Sequence, residues 1–189
     1  MANRWLIRLG GLCGIVQPVL TLTMVVAAKI ISPWFRWDTH AVSELGVGEV
    51  SLLFNSAMWL GGVLGFVFAL GLRKYLVSNR HGNTGSFLMK LGSVCLFLVG
   101  VFTVTFLAAH AVVALGYFLL VPIGILLIGF DDGGKASKKL SLAIGIAALL
   151  AILVLPTIIF KVGFAVPEIT HGLIIAVWTI FMGAKLLRH

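Results

Sequence analysis

Apolar stretches long enough to cross a lipid bilayer follow one another along almost the whole of this chain. A helix needs roughly 20 residues to span the hydrocarbon, and an apolar run of 18 or more is read as a span. Inside hydrocarbon no water is available to backbone N–H and C=O groups, so only α-helices and closed barrels cross it. A barrel strand alternates in polarity from residue to residue, and these runs do not. Of 189 residues, 60% are hydrophobic and only 11% are charged, against roughly 25% charged in a soluble domain. The fold class is therefore an all-α integral membrane protein.

Six spans are expected in one transmembrane domain covering 1–189, at about 9–31, 50–72, 86–106, 109–130, 140–160 and 167–187. From Val94 to Phe130 no charge interrupts the chain. Those roughly 37 residues are too many for one span and suit a tight hairpin, with His110 and Gly116 as the marks of a turn. Arg4 and Arg8 precede the first run, and Val26-Ala27-Ala28 looks like a signal-peptidase site. The run Leu9 to Ile31 is nevertheless longer than the 7–15 apolar residues of a signal segment. It is read as a retained first span.

Charge sets the orientation. With the N-terminus inside, the inner side carries Arg4, Arg8, Arg73, Lys74, Arg80, Lys90, Lys135, Lys138, Lys139, Lys185 and Arg188. The outer side carries only Lys29, Arg36 and Lys161, so the division is eleven against three. Lysine and arginine accumulate in cytoplasmic loops, which gives an N-in, C-in protein of the cell membrane. The net charge of +8 is thus a topological signal. It forms no basic stripe, so a nucleic-acid partner is not expected; the expected partners are membrane lipids. Cys13 and Cys95 fall inside apolar spans and read as small packed residues, not as a disulfide or metal pair. Asp131-Asp132 reads as the cap of span four in a solvated turn.

The loop between spans one and two is the richest in chemistry. Trp34, Phe35 and Trp37 suit the headgroup layer. Asp38 can cap a short interfacial helix over Thr39 to Leu45, with Gly46 following it. On such a helix His40 and Glu44 share a face and Ser43 reaches the same side. Glu49 reads as a cap for span two.

Each outward hairpin carries one histidine near its turn: His40, His110 and His171. Span six opens Pro167-Glu168-Ile169-Thr170-His171, a helix start with an acid in its first turn. Four of the six acidic residues, Asp38, Glu44, Glu49 and Glu168, lie on that outer side. Ionisable groups at membrane depth are costly and commonly functional. The bland reading is that these groups hydrogen-bond to one another and hold the hairpins together.

The functional reading is a membrane-embedded enzyme acting on a lipid or lipid-linked substrate near the outer leaflet. His110, Glu168 and His171 would bind a divalent metal such as zinc, or His40, Ser43, Glu44 and His110 would do acid–base or nucleophilic chemistry. Asp38 and Ser43 would orient water or substrate. A binding or transport protein using the same patch is a different class of answer. The deeper polar groups are few (Gln17, Thr21, Thr23, Asn55 and Ser56), and the absence of a midplane charge argues against an ion pump. Haem held by paired histidines and a non-catalytic scaffold complete the alternatives. Gly61, Gly62, Gly65 and Gly71 give the small-residue spacing of close helix contacts. Pro18, Pro122 and Pro156 can bend their helices. No nucleotide-binding glycine loop, His-Glu-x-x-His or Gly-x-Ser-x-Gly motif is present.

The run His40-Ala41-Val42-Ser43-Glu44-Leu45-Gly46, entering a glycine-rich span, resembles the Ile-Ser-Glu-Leu-Gly signature of a prokaryotic membrane-protein family, domain of unknown function 998. Gly100-Val101-Phe102 followed by His110 is similar to that family's third and fourth spans. Thr103 and Val104 stand where the family often has a proline and an acid. The resemblance implies a six-helix fold and brings no activity with it. Ceramidase and adiponectin-receptor type lipid hydrolases combine similar residue types around zinc, but their spacing is not matched here, so they inform only the reaction class.

Overall fold

A computed structural model of the chain describes residues 2–76, 80–131, 134–154 and 163–189. The described residues form α1 (Ala2–Ile30), α2 (Ser51–Tyr75), α3 (Arg80–Val99), α4 (Leu107–Asp131), α5 (Lys135–Leu153) and α6 (Ala165–Leu187). Two short 3-10 helices, Val42–Gly46 and Val104–Phe106, interrupt the connections, and no strand occurs among the described residues. All six helices are long and apolar enough to cross a membrane. The shortest, α5, has 19 residues, about 28 Å at 1.5 Å per residue.

Each helix packs on its neighbours in sequence, and α6 returns to pack on both α5 and α1, closing a ring. One buried cluster lies toward the termini and joins Ile7, Leu72, Ile128, Trp178 and Leu186. A second lies under the 31–50 loop and joins Val25, Phe35, Leu45, Phe54, Val99 and Ala165. Outward-facing side chains are as apolar as the core: Leu52, Leu107 and Val112 are each 70% exposed or more. In lipid an exposed leucine carries no penalty, so helix association depends on close fit rather than on hiding apolar surface. Fit is supplied by small residues. A Cβ on Gly71 would lie 2.7 Å from the Gly10 Cα, and one on Gly11 would lie 2.8 Å from the Gly183 carbonyl oxygen. These two contacts bring α2 and α6 against α1.

Several buried hydroxyls in the bundle are satisfied locally. Ser93 and Ser141 donate to carbonyls one turn back, at 2.8 and 2.9 Å. Ser141 also accepts the Trp178 indole N–H at 2.8 Å. Replacing Trp178 with phenylalanine removes that donor and is expected to cost about 1 kcal/mol beyond the change in packing. The check is denaturant unfolding in detergent, with Ser141→Ala as the partner variant in a double-mutant cycle.

Several boundaries differ from the sequence expectation. The break between spans three and four falls at residues 100–106, not between 106 and 109. At Gly100 a side chain would meet the Asn55 carbonyl at 2.8 Å and the Trp59 indole at 2.8 Å, so the chain turns where it packs closely on α2. His110 and Gly116, expected at the turn, lie inside α4. No α-helix forms over Thr39 to Leu45. A five-residue 3-10 helix starts at Val42 instead, because the Asp38 carboxylate is engaged by Arg36 and caps nothing. Glu49 does not cap α2 either; its N-cap position is Val50, with no side-chain bond. Pro18 and Pro122 lie within α1 and α4. Pro156, the end of span five, Lys161 and the Asp131-Asp132 cap lie outside the residues and side chains described.

Candidate functional site

The 31–50 loop folds over one end of the ring and is pinned to the start of α6. The Gly163 N–H donates to the Asp38 carbonyl at 2.6 Å and the Ala165 N–H to the His40 carbonyl at 2.9 Å. Glycine is needed at 163, where a Cβ would lie 2.6 Å from the His40 nitrogen. The third tie comes from a side chain. The Glu168 carboxylate, one turn into α6, accepts the Val42 N–H. It thereby satisfies an orphan donor at the start of the 3-10 helix. Within that helix the Glu44 carboxylate accepts the Ala41 N–H at 2.8 Å, and Asn55 of α2 donates to the Gly46 carbonyl at 3.2 Å.

Replacing Glu168 with alanine leaves the Val42 N–H without its acceptor in a largely buried place. The expected cost is about 1–3 kcal/mol, together with faster amide hydrogen exchange across residues 42–46, read by mass spectrometry. Glutamine keeps an acceptor oxygen and should lose much less.

Beneath the loop lies a cavity of about 110 Å³ lined by Ser43, His110, Glu168, Tyr117 and Thr21, with apolar walls from residues including Val25, Phe54 and Met58. Water occupies roughly 30 Å³ in the liquid, and an apolar void of some 150 Å³ accepts benzene. The space therefore suits part of an acyl chain or a small polar group with a few waters. Three of the polar groups come from separate segments: Ser43 from the 3-10 helix, His110 from the first turn of α4, and Glu168 from the first turn of α6.

The His110 ring is oriented by a hydrogen bond: Nδ1 lies 2.7 Å from the Phe102 carbonyl oxygen. A carbonyl can only accept, so the proton sits on Nδ1. The neutral ring then carries its lone pair on Nε2, the nitrogen free to act as a base. His110 is 8% exposed and lines the cavity.

The other expected residues are placed elsewhere. His171 is fully buried, with Nδ1 3.0 Å from the Ala148 carbonyl of α5. Its ring meets Phe118 edge-on at 4.9 Å, and its Nε2 has no hydrogen-bond partner among the described residues. It does not line the cavity. His40 sits in the loop between the rings of Trp34 and Phe35, at 5.4 and 5.7 Å. Its Nε2 lies 4.0 Å from Glu44, without the shared α-helix expected to bring them to one face, and outside the cavity. Asp38 forms a two-point contact with Arg36, at 3.2 and 2.8 Å, on the exposed surface. The Arg36 guanidinium holds the Asp38 carboxyl below the usual carboxylate range. That contact is therefore present at neutral pH and lost only as pH falls through the lowered value. His110, Glu168 and His171 do not gather as a ligand set, and among the described residues no three His, Cys, Asp or Glu side chains do.

Two lining residues went unremarked as site members: Tyr117 and Thr21. Tyr117 stands seven residues after His110, hence on the same helix face, and that spacing was the available signal. Thr21 carries a buried hydroxyl without a partner among the described residues.

A multi-pass helical membrane protein with a polar-tipped cavity under an end loop is the class these features define. Over residues 15–185 the chain matches the family described as "Protein of unknown function (DUF998)", and it belongs to that family. No curated protein and no solved structure matches it.

Proposed function

We propose that this chain is a protein of the cell membrane, with both termini cytoplasmic, that takes a lipid or lipid-linked molecule into the cavity beneath its 31–50 loop and hydrolyses or transfers a group on it by acid–base chemistry. The observation that carries the reading is that Ser43, His110 and Glu168, from three separate segments, line one cavity whose walls are otherwise mostly apolar. The eleven-to-three division of basic residues supports this orientation, in which the cavity would lie in the outer half of the bilayer.

His110 Nε2 serves as the base. It takes the proton from the attacking hydroxyl, that of Ser43 or of a water, as the oxygen bonds to the electrophilic centre. It then returns the proton to the leaving oxygen. Glu168 is a positioning residue, because it ties the Ser43 turn to α6 through the Val42 N–H. Tyr117, on the same wall, carries a further hydroxyl donor.

The test is lipid conversion. Purified protein is reconstituted in vesicles of mixed bacterial phospholipids and diacylglycerol, and the lipids are profiled by mass spectrometry over time. A product that accumulates with the protein and not in empty vesicles is expected. An unchanged profile with folded protein would contradict the reading.

A second reading, passage of an amphiphile or protons, is favoured by one feature. Below the cavity a void of about 20 Å³, enough for one water, is lined by Gln17, Ser93, Tyr117 and Thr179. It extends the polar wall inward past Thr21. Movement of a fluorescent lipid between leaflets without conversion would select this reading.

A further inference from the structure

We propose that a second recess, between the 31–50 loop and the 3-10 helix Val104–Phe106, binds an ammonium group carried on a lipid headgroup. The groove holds about 670 Å³ and is lined by Ser32, Trp34, Glu44, Glu49, Val104 and Thr105, among others. That volume lies within the range of small-molecule sites, roughly 300–1,000 Å³, and far exceeds that of a bare ion.

Its chemistry is of one sign. Two carboxylates line it and no lysine or arginine does. Glu44 uses one oxygen on the Ala41 N–H, at 2.8 Å, and leaves the other 4.0 Å from His40. Glu49 is exposed and has no hydrogen bond or ion pair among the described residues. Trp34 contributes an indole that is 47% exposed. An aromatic face beside carboxylates recognises alkylated ammonium, because the ring quadrupole and the charges both attract a large, weakly hydrated cation. Independently, Ser32, which also lines the groove, is only 1% exposed, and its buried hydroxyl has no hydrogen-bond partner among the described residues. A buried hydroxyl without a partner is costly unless a ligand or water meets it. A headgroup supplies oxygens to meet it, and a bare metal ion does not fill the space.

The groove is joined to the cavity by sequence. Ser43 lines the cavity and Glu44, the next residue in the same 3-10 helix, lines the groove. A lipid with its ammonium beside Glu44 and Glu49 therefore brings the bonds linking head to tail up to the turn that carries Ser43. The proposal names the headgroup of the substrate and rests on the lipid reading above only for the source of the ammonium.

The test is native mass spectrometry of the purified full chain in detergent. It is titrated below the critical micelle concentration with dihexanoyl phosphatidylcholine or dihexanoyl phosphatidylglycerol. The choline lipid is expected to bind roughly tenfold tighter, and Glu49→Gln and Trp34→Leu are each expected to cut that preference about two- to fivefold. Both residues are exposed, so the variants fold. Equal affinity in wild type, or an unchanged preference in both variants, overturns the proposal. Free tetramethylammonium should compete only at much higher concentration. Competition at equal concentration overturns the lipid source, and displacement of the lipid by micromolar calcium marks a metal site and overturns the organic cation. Turnover is read separately. A headgroup preference without lipid conversion upholds this proposal and sinks the acid–base reading, and conversion without a preference does the reverse.

Discussion

Replacing His110 with alanine is expected to slow lipid conversion by about 10²–10⁴-fold, the usual range for loss of a positioned general base, while the protein remains folded. Little structure depends on the ring. Among the described residues its one side-chain hydrogen bond goes to the Phe102 carbonyl, at 2.7 Å, and truncation enlarges a cavity that already exists. Glutamine at 110 sharpens the test. Its amide can still donate to the Phe102 carbonyl, but it has no basic nitrogen. If the imidazole acts as a base, His110→Gln is as slow as His110→Ala. If the imidazole merely holds the α3–α4 turn, glutamine restores most of the rate. The measurement is initial velocity in the vesicle assay, normalised to folded protein by size exclusion.

The second large effect falls on the fold. A valine at Gly71 is expected to destabilise the bundle by about 3 kcal/mol or more, above the usual range for an overpacked site. Its Cβ would sit 2.7 Å from the Gly10 Cα and 2.8 Å from the Leu6 carbonyl oxygen. Both are backbone atoms, which no rotamer change can move. Even alanine at 71 should be measurably harmful, since it introduces the same Cβ. Gly172→Ala serves as the contrast, because its Cβ would meet only the Leu22 side chain, at 4.0 Å. Unfolding in a mixed-detergent titration should put the valine variant lowest and leave Gly172→Ala near wild type. A valine variant as stable as wild type would mean that α1 and α2 do not pack as described.

The six spans were legible because their signal is length and polarity, which the backbone's need for hydrogen bonds in lipid makes decisive. Their ends were less so. Charged and polar residues such as Arg73, Lys74 and Arg80 stop a hydropathy window but not a helix, and α2 and α3 run on through them. The α3–α4 break depended on Gly100 meeting Trp59 and Asn55, a tertiary contact without a local mark. The same limit applied to the site. Sequence placed His110, His171 and Glu168 near one end of the ring, but depth is not direction. In lipid, helix faces differ little in polarity, so the rotation that turns His110 toward the cavity and His171 toward Ala148 of α5 came from packing. In the 31–50 loop, the four-residue spacing put His40 near Glu44, although on a helix that does not form. It could not show that the Ser43 and Glu44 side chains line different recesses.

Photolabelling tests most directly whether the cavity receives a lipid. Wild-type protein is irradiated in vesicles containing a phospholipid with a diazirine in its acyl chain, and the modified residues are mapped by mass spectrometry. Adducts on cavity-wall residues such as Val42, Phe54, Met58 and Ala114 are the expected result, competed away by excess unlabelled lipid. Adducts confined to outward-facing residues such as Leu52, Val112, Leu115 and Val177, with none on the cavity wall, would contradict it.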